Sequence, residues 1–121
     1  MNKEAIQPVF ARLKAILQPY AAQLMVVADK DDHFYLDTAH LQKNKKPLFF
    51  GAVTIKKSYV SFHLMPVYVF SELLDDASPE LKQCMQGKSC FNFKATDETL
   101  FQELSQLTQA GFARFKAEKY V

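Results

Sequence analysis

The side chains whose types and spacing can do chemistry in this sequence are His63, Cys90 and Asn92, with the hydroxyls Thr54 and Ser61 and the lysines Lys88 and Lys94. His63 has a near-neutral intrinsic pKa, which suits proton transfer. Set beside Cys90 it makes a nucleophile and base couple in form, but no family-type signature surrounds the cysteine. No catalytic set assembles from these residues, and the expectation leans away from an enzyme. His33, His40 and His63 share no metal-ligand spacing, and Asp29, Asp31 and Asp32 lack the glycine and terminal glutamate of a calcium loop. Neither a metal nor a cofactor is therefore expected. Gln86-Gly87-Lys88-Ser89 invites comparison with a phosphate loop. The Walker pattern needs a glycine five residues before Gly87, where Lys82 stands, and its loop follows a strand and opens a helix, whereas this turn does the reverse. Lys88 keeps its charge and the neighbouring backbone as a means of attracting an anion.

These residues must be positioned by strands, and the densest apolar stretch shows how. Leu48 to Phe70 reads as a β-hairpin. Strand side chains alternate with period two, so Phe49, Gly51, Val53 and Ile55 fall on one face, and Phe50, Ala52, Thr54 and Lys56 on the other. In Tyr59–Met65 the apolar face is Val60, Phe62 and Leu64, and the mixed face is Tyr59, Ser61, His63 and Met65. Superimposing the two apolar faces requires a connection of even length around Lys57–Ser58, with Val53 opposite Phe62, Thr54 opposite Ser61, and Ala52 opposite His63. Pro66 has no ladder donor, so pairing ends there or the strand lies at an edge, and such an edge can support a homodimer.

Around this hairpin the rest of the chain supplies cover. Ile6, Val9, Phe10, Leu13, Ile16, Leu17 and Tyr20 recur at three and four residues, one stripe of an amphipathic helix. Asn2 is a candidate cap. Pro8 either opens the helix or kinks it, and Pro19 predicts a stop near Gln18. Leu24–Ala28, the acidic turn Asp29–Asp32 and the alternating Phe34, Leu36 and Thr38 make a first hairpin, and Leu41–Pro47 is a polar loop. Ser71–Leu74 reads as a helical turn. Ser78 caps a short helix with Pro79 in its first position, and Gly87 ends it. Ser89–Ala95 is a last strand with Phe91 and Phe93 on one face, and Cys90, Asn92 and Lys94 on the other. Thr96 then caps a long helix whose buried stripe is Leu100, Phe101, Leu104, Leu107, Gly111, Phe112 and Phe115. The pattern is an α+β fold: an antiparallel sheet of about five strands packed on one face by the N- and C-terminal helices.

The 121 residues fit one domain. With 15 basic and 13 acidic residues the net charge is +2, too little to announce a nucleic-acid partner, and the cluster Lys43–Lys46 reads as a solvated loop. No apolar run approaches a bilayer span, and the first residues lack the hydrophobic core of a signal peptide. The expected compartment is the cytoplasm, without a membrane partner. Cys84 and Cys90 fit neither a disulfide framework nor a zinc knuckle, so they are expected as free thiols.

With helices over the Val53/Phe62/Phe93 face, the other face carries Tyr35, Phe50, Thr54, Ser61, His63, Met65, Asn92 and Lys94. An aromatic surface with a few donors and acceptors is the composition of a small-molecule or partner site, and with Lys88 these are the candidate ligand-binding residues. A monomer and a homodimer are both compatible with the sequence. At HLMPVYVFSELL and SPELKQCMQGKSCFNFK the chain also resembles the YdhG-type, frataxin-like domain family. The resemblance covers about Leu13 to Phe115 and implies an opening helix, a sheet, a short helix ending in a Gly-Lys turn, a Phe-rich strand and a closing helix. As an alternative function it implies an iron-binding chaperone. Such iron binding uses acidic residues on the first helix and the nearby edge. Here that helix offers Glu4 beside Lys3, Arg12 and Lys14, and Asp29, Asp31 and Asp32 are the local substitute.

Overall fold

The alternation around Val53 sets the register of the sheet. In the computed structural model, which describes the backbone of residues 3–121 and the side chains from Ile6 onward, β3 (Pro47–Ile55) pairs antiparallel with β4 (Val60–Leu64). Val53 faces Phe62, Thr54 faces Ser61, and Ala52 faces His63, as a connection of even length requires. The link from Lys56 to Tyr59 closes with the Lys56 N–H donating to the Tyr59 carbonyl at 2.8 Å. Outside this hairpin, β1 (Met25–Lys30) and β2 (His33–Leu41) pair around the Asp31-Asp32 turn, and β5 (Cys90–Phe93) pairs with β4. The strand order is β1-β2-β3-β4-β5, antiparallel throughout.

Helix α1 (Lys3–Leu17) and helix α4 (Glu98–Ala117) pack on one another, and α1 lies on β3 and β4. Val9, Leu13 and Leu17 from α1 and Leu104 and Phe115 from α4 join Leu36, Val53, Phe62, Leu64 and Phe91 in one buried cluster. Period-3.6 stripes and period-two strands thus bury the faces that the sequence assigns to them, except in β3 before Gly51. Pro8 lies inside α1, and the helix gives way at Leu17 to a 3₁₀ segment, Gln18–Gln23, that opens with Pro19. The expected Asn2 cap lies outside the described residues. After β4 come α2 (Met65–Val69), a 3₁₀ turn at Ser71–Leu74 and α3 (Pro79–Gln83). Gly111 allows α4 to approach α2: a Cβ built there would stand 2.8 Å from Cβ of Pro66.

Several local expectations are corrected. The strand ends at Leu64, and Met65 opens α2 with Pro66 in its first turn, where the missing N–H costs nothing. β4 is an interior strand, so the chain near Pro66 is not a sheet edge; the edge strands are β1 and β5. Asp97, not Thr96, caps α4, its carboxylate accepting from the Leu100 N–H at 3.1 Å. Gly87 has the expected positive φ of 85° but lies beyond the end of α3 at Gln83, in the turn before β5.

The correction that matters most for the site is in β3. Leu36 pairs with Gly51, yet the next residue, Asp37, pairs with Phe49, so Phe50 is an extra residue in the strand. Such a bulge reverses the alternation beyond it. Phe50 turns under the helices, fully buried against Tyr20, Phe112 and Phe115. Its neighbour Phe49 goes to the opposite face and stacks on Tyr35 with ring centroids 4.7 Å apart.

Candidate functional site

The face of the sheet away from α1 and α4 is built from the inverse phase of each strand. β2 contributes His33, Tyr35 and Asp37, β3 contributes Phe49, Ala52 and Thr54, β4 contributes Ser61 and His63, and β5 contributes Cys90 and Asn92. Most of these side chains are half-buried, whereas Ala52 and Ser61 are buried.

At one end the face is aromatic. Tyr35 lies between Phe49 and His33, whose ring centroid is 5.7 Å away, and His33 Nδ1 hydrogen-bonds Thr54 Oγ1 at 2.9 Å. Burial pushes up the pKa of the Tyr35 phenol, with the Asp37 carboxylate adding to the shift, and burial also raises that of Asp37 itself.

At the other end it is polar. The Leu64 N–H donates to the Ser89 carbonyl at 2.9 Å. This puts Ser61 against Asn92 and His63 against Cys90 at non-hydrogen-bonded positions of the ladder, where opposed side chains are closer. The Asn92 side-chain oxygen accepts from the Ser61 hydroxyl at 2.9 Å and from the Cys90 thiol at 3.3 Å, while its Nδ2 donates to Gln86 Oε1 at 2.9 Å. The half-buried His63 has its pKa lowered, chiefly by burial and further by the charge of Lys56, so the imidazole is neutral at neutral pH. Burial raises the Cys90 pKa despite the opposing effects of Ser61 and Lys56. A protonated thiol bound to an amide oxygen is a weak nucleophile, and the arrangement suits hydrogen bonding to a ligand better than covalent catalysis.

Of the residues expected on this face, Tyr35, Thr54, Ser61, His63 and Asn92 are brought together. Lys94 follows directly after β5 and lines, with Tyr59, Cys84, Gln86 and Asn92, a concavity of about 420 Å³ at the polar margin. Three candidates are not brought there. Phe50 is core because of the bulge, and Met65 packs on the core from the start of α2. Lys88 lines a different concavity, of about 480 Å³, with Tyr68 and Met85. The residues of this face not among the sequence-based candidates include His33, Asp37 and Phe49, and Gln86 beside Asn92. An isolated glycine inside a strand pattern is a signal for a bulge, and Gly51 sits directly beside this one.

Asp29 lies in β1, and Asp31 and Asp32 form the turn after it. Asp29 is ion-paired with Lys14 at 2.7 Å, and Asp31 and Asp32 line a concavity together with Lys30, Lys56 and Lys57. Among the described residues no group of three or more histidine, cysteine, aspartate or glutamate side chains is placed to hold a metal ion. Comparison with protein-family models, with curated proteins and with solved structures finds no match, so the reading of the site rests on its own geometry.

Proposed function

We propose that this chain is a small non-enzymatic binding module that receives a small ligand or a protein partner on the uncovered face of its sheet. The observation that carries this reading is the composition of that face. A Tyr35/Phe49 aromatic pair and a polar group of Thr54, Ser61, His63 and Asn92 lie side by side on a sheet whose β3 and β4 are backed by α1. Rings supply apolar area at low entropic cost, and the neutral imidazole and the amide fix orientation by hydrogen bonding. The concavity beside Asn92 and Lys94 gives a small ligand a partly enclosed margin. The free thiols Cys84 and Cys90 suit a reducing compartment such as the cytoplasm. Among the described residues no helix is long and apolar enough to cross a membrane.

The test is a thermal-shift screen of the purified chain against a metabolite library and divalent metals, repeated on Tyr35→Ala and His63→Ala. A stabiliser that saturates at micromolar concentration identifies the ligand class, because binding to the native state raises apparent stability by mass action. Both variants should unfold within about 1 kcal/mol of the parent, as half-exposed positions do, and should lose the ligand-induced shift. A shift that survives both substitutions would place the ligand elsewhere and refute the proposal.

A further inference from the structure

The two edges of the sheet are finished differently. Along β5 the outer side is occupied: the Asn92 N–H donates to the Cys84 carbonyl at 2.8 Å, the Gln86 N–H donates to the Cys90 carbonyl at 2.9 Å, and Met85 opposes Phe91. β1 is bare. Its outer side meets no strand among the described residues, and Met25, Val26 and Val27 are 50%, 49% and 58% exposed. A strand edge carrying three consecutive exposed apolar residues is a template for strand addition.

We infer that β1 is a self-association edge, and that a second copy of this chain pairs with it antiparallel across a two-fold axis at Val26. The sequence of the edge selects this occupant. β1 begins at Met25, so antiparallel pairing about Val26 sets Val26 against Val26 and Met25 against Val27, a paired stretch of three residues. Asp29 falls beyond this stretch, toward the 3₁₀ segment Gln18–Gln23 of the other copy, which carries no charged residue, so no like charges meet. A parallel alignment would oppose Asp29 to Asp29 and Lys30 to Lys30, which disfavours it. The covered edge at β5 prevents β1 of one copy from adding to β5 of the next, so the contact closes as an isologous dimer instead of growing into a fibre. Val27 is the extra residue where the register against β2 breaks between Val26 and Ala28, which twists the strand locally and keeps the paired stretch short. The interface therefore falls at the small, reversible end of the size range. Pairing joins the two sheets edge to edge and brings the two uncovered faces into one surface. The inference does not depend on what that surface binds.

Sedimentation equilibrium from about 1 µM to about 1 mM, a span covering weak to moderate affinities, tests it. The mass of the wild-type chain should rise from 13.9 kDa toward twice that value. Val26→Lys, which sets two ammonium groups against each other at the axis, should stay at 13.9 kDa with an unchanged circular dichroism spectrum. Tyr68→Lys, at a comparably exposed side chain on α2, should dimerise like the wild type. Met25→Lys and Val27→Glu should each be monomeric alone and associate when mixed, because position 25 of one copy faces position 27 of the other. A wild-type chain that remains monomeric throughout overturns the inference, even if it captures a foreign extended peptide. Dimers that persist in Val26→Lys, or Met25→Lys and Val27→Glu chains that fail to associate on mixing, overturn it as well.

Discussion

Phe49 and Phe50 are neighbours in sequence with the same side chain, and they have opposite fates. Phe50 is fully buried among Tyr20, Phe112 and Phe115 on the helix-covered face, whereas Phe49 is half-buried beside Tyr35 on the uncovered one. The difference comes from one extra residue in β3 and not from the chemistry of the rings. One face of the sheet serves stability. The other presents rings and donors that the core does not require.

The largest effect expected from this contrast is on stability. Phe50→Ala removes a ring from a close-packed cluster and should cost about 3–5 kcal/mol, a large part of the total for a domain of this size. Phe49→Ala should cost about 1 kcal/mol or less, as surface-facing changes do. Urea denaturation of the two variants measures both, and equal losses would erase the distinction between the faces.

A smaller effect sharpens the polar half. Asn92→Ala deprives the buried Ser61 hydroxyl of its acceptor and Gln86 of its donor, so a loss of about 1–3 kcal/mol is expected from the same measurement. In the double variant with Ser61→Ala, part of that loss should be recovered, since no orphan hydroxyl remains.

The smallest effect is in pH dependence. His63 is held below its ordinary pKa by burial and by Lys56, so the unfolded chain takes up its proton first as the pH falls. The corresponding stability is fully present above the unfolded-state value of about 6.5 and is lost as the pH falls from there through the folded-state pKa. His63→Gln should flatten the stability profile in that window. Asp37, raised by burial, acts with the opposite sign in the lower, carboxylate range, where stability is lost as the pH rises. An NMR titration of the His63 ring reads its contribution directly, and a pKa at or above the ordinary value would contradict the assigned burial.

Much of the fold was legible because it rests on periodicity. The pairing of Val53 with Phe62, the stripe from Ile6 to Leu17 and the stripe from Phe101 to Phe115 follow from period-two and period-3.6 patterns that burial enforces. Single insertions and shared signals were not legible. A bulge leaves the composition of a strand unchanged, so Phe50 and Phe49 exchanged faces without trace except for Gly51. Pro66 fits both the end of a strand and the first turn of a helix, and the helix it opens drew Met65 into the core. Thr96 and Asp97 are both good caps, and composition alone does not distinguish the one that accepts from the Leu100 N–H, Asp97. In the candidate site the strand-borne residues Tyr35, Thr54, Ser61, His63 and Asn92 were recoverable. Gln86 was not, because it reaches Asn92 through a turn whose path no periodicity encodes.

The claim that the uncovered face is the binding surface is tested most directly by ¹⁵N-resolved NMR of the labelled chain against a library of planar, hydrogen-bonding fragments. The expected result is a set of saturable shift changes centred on the amides of Tyr35, Phe49, Thr54, His63 and Asn92. Changes centred instead on the groove between α1 and α4 lined by Arg12, Ile16 and Phe101, with the uncovered face silent, would contradict it.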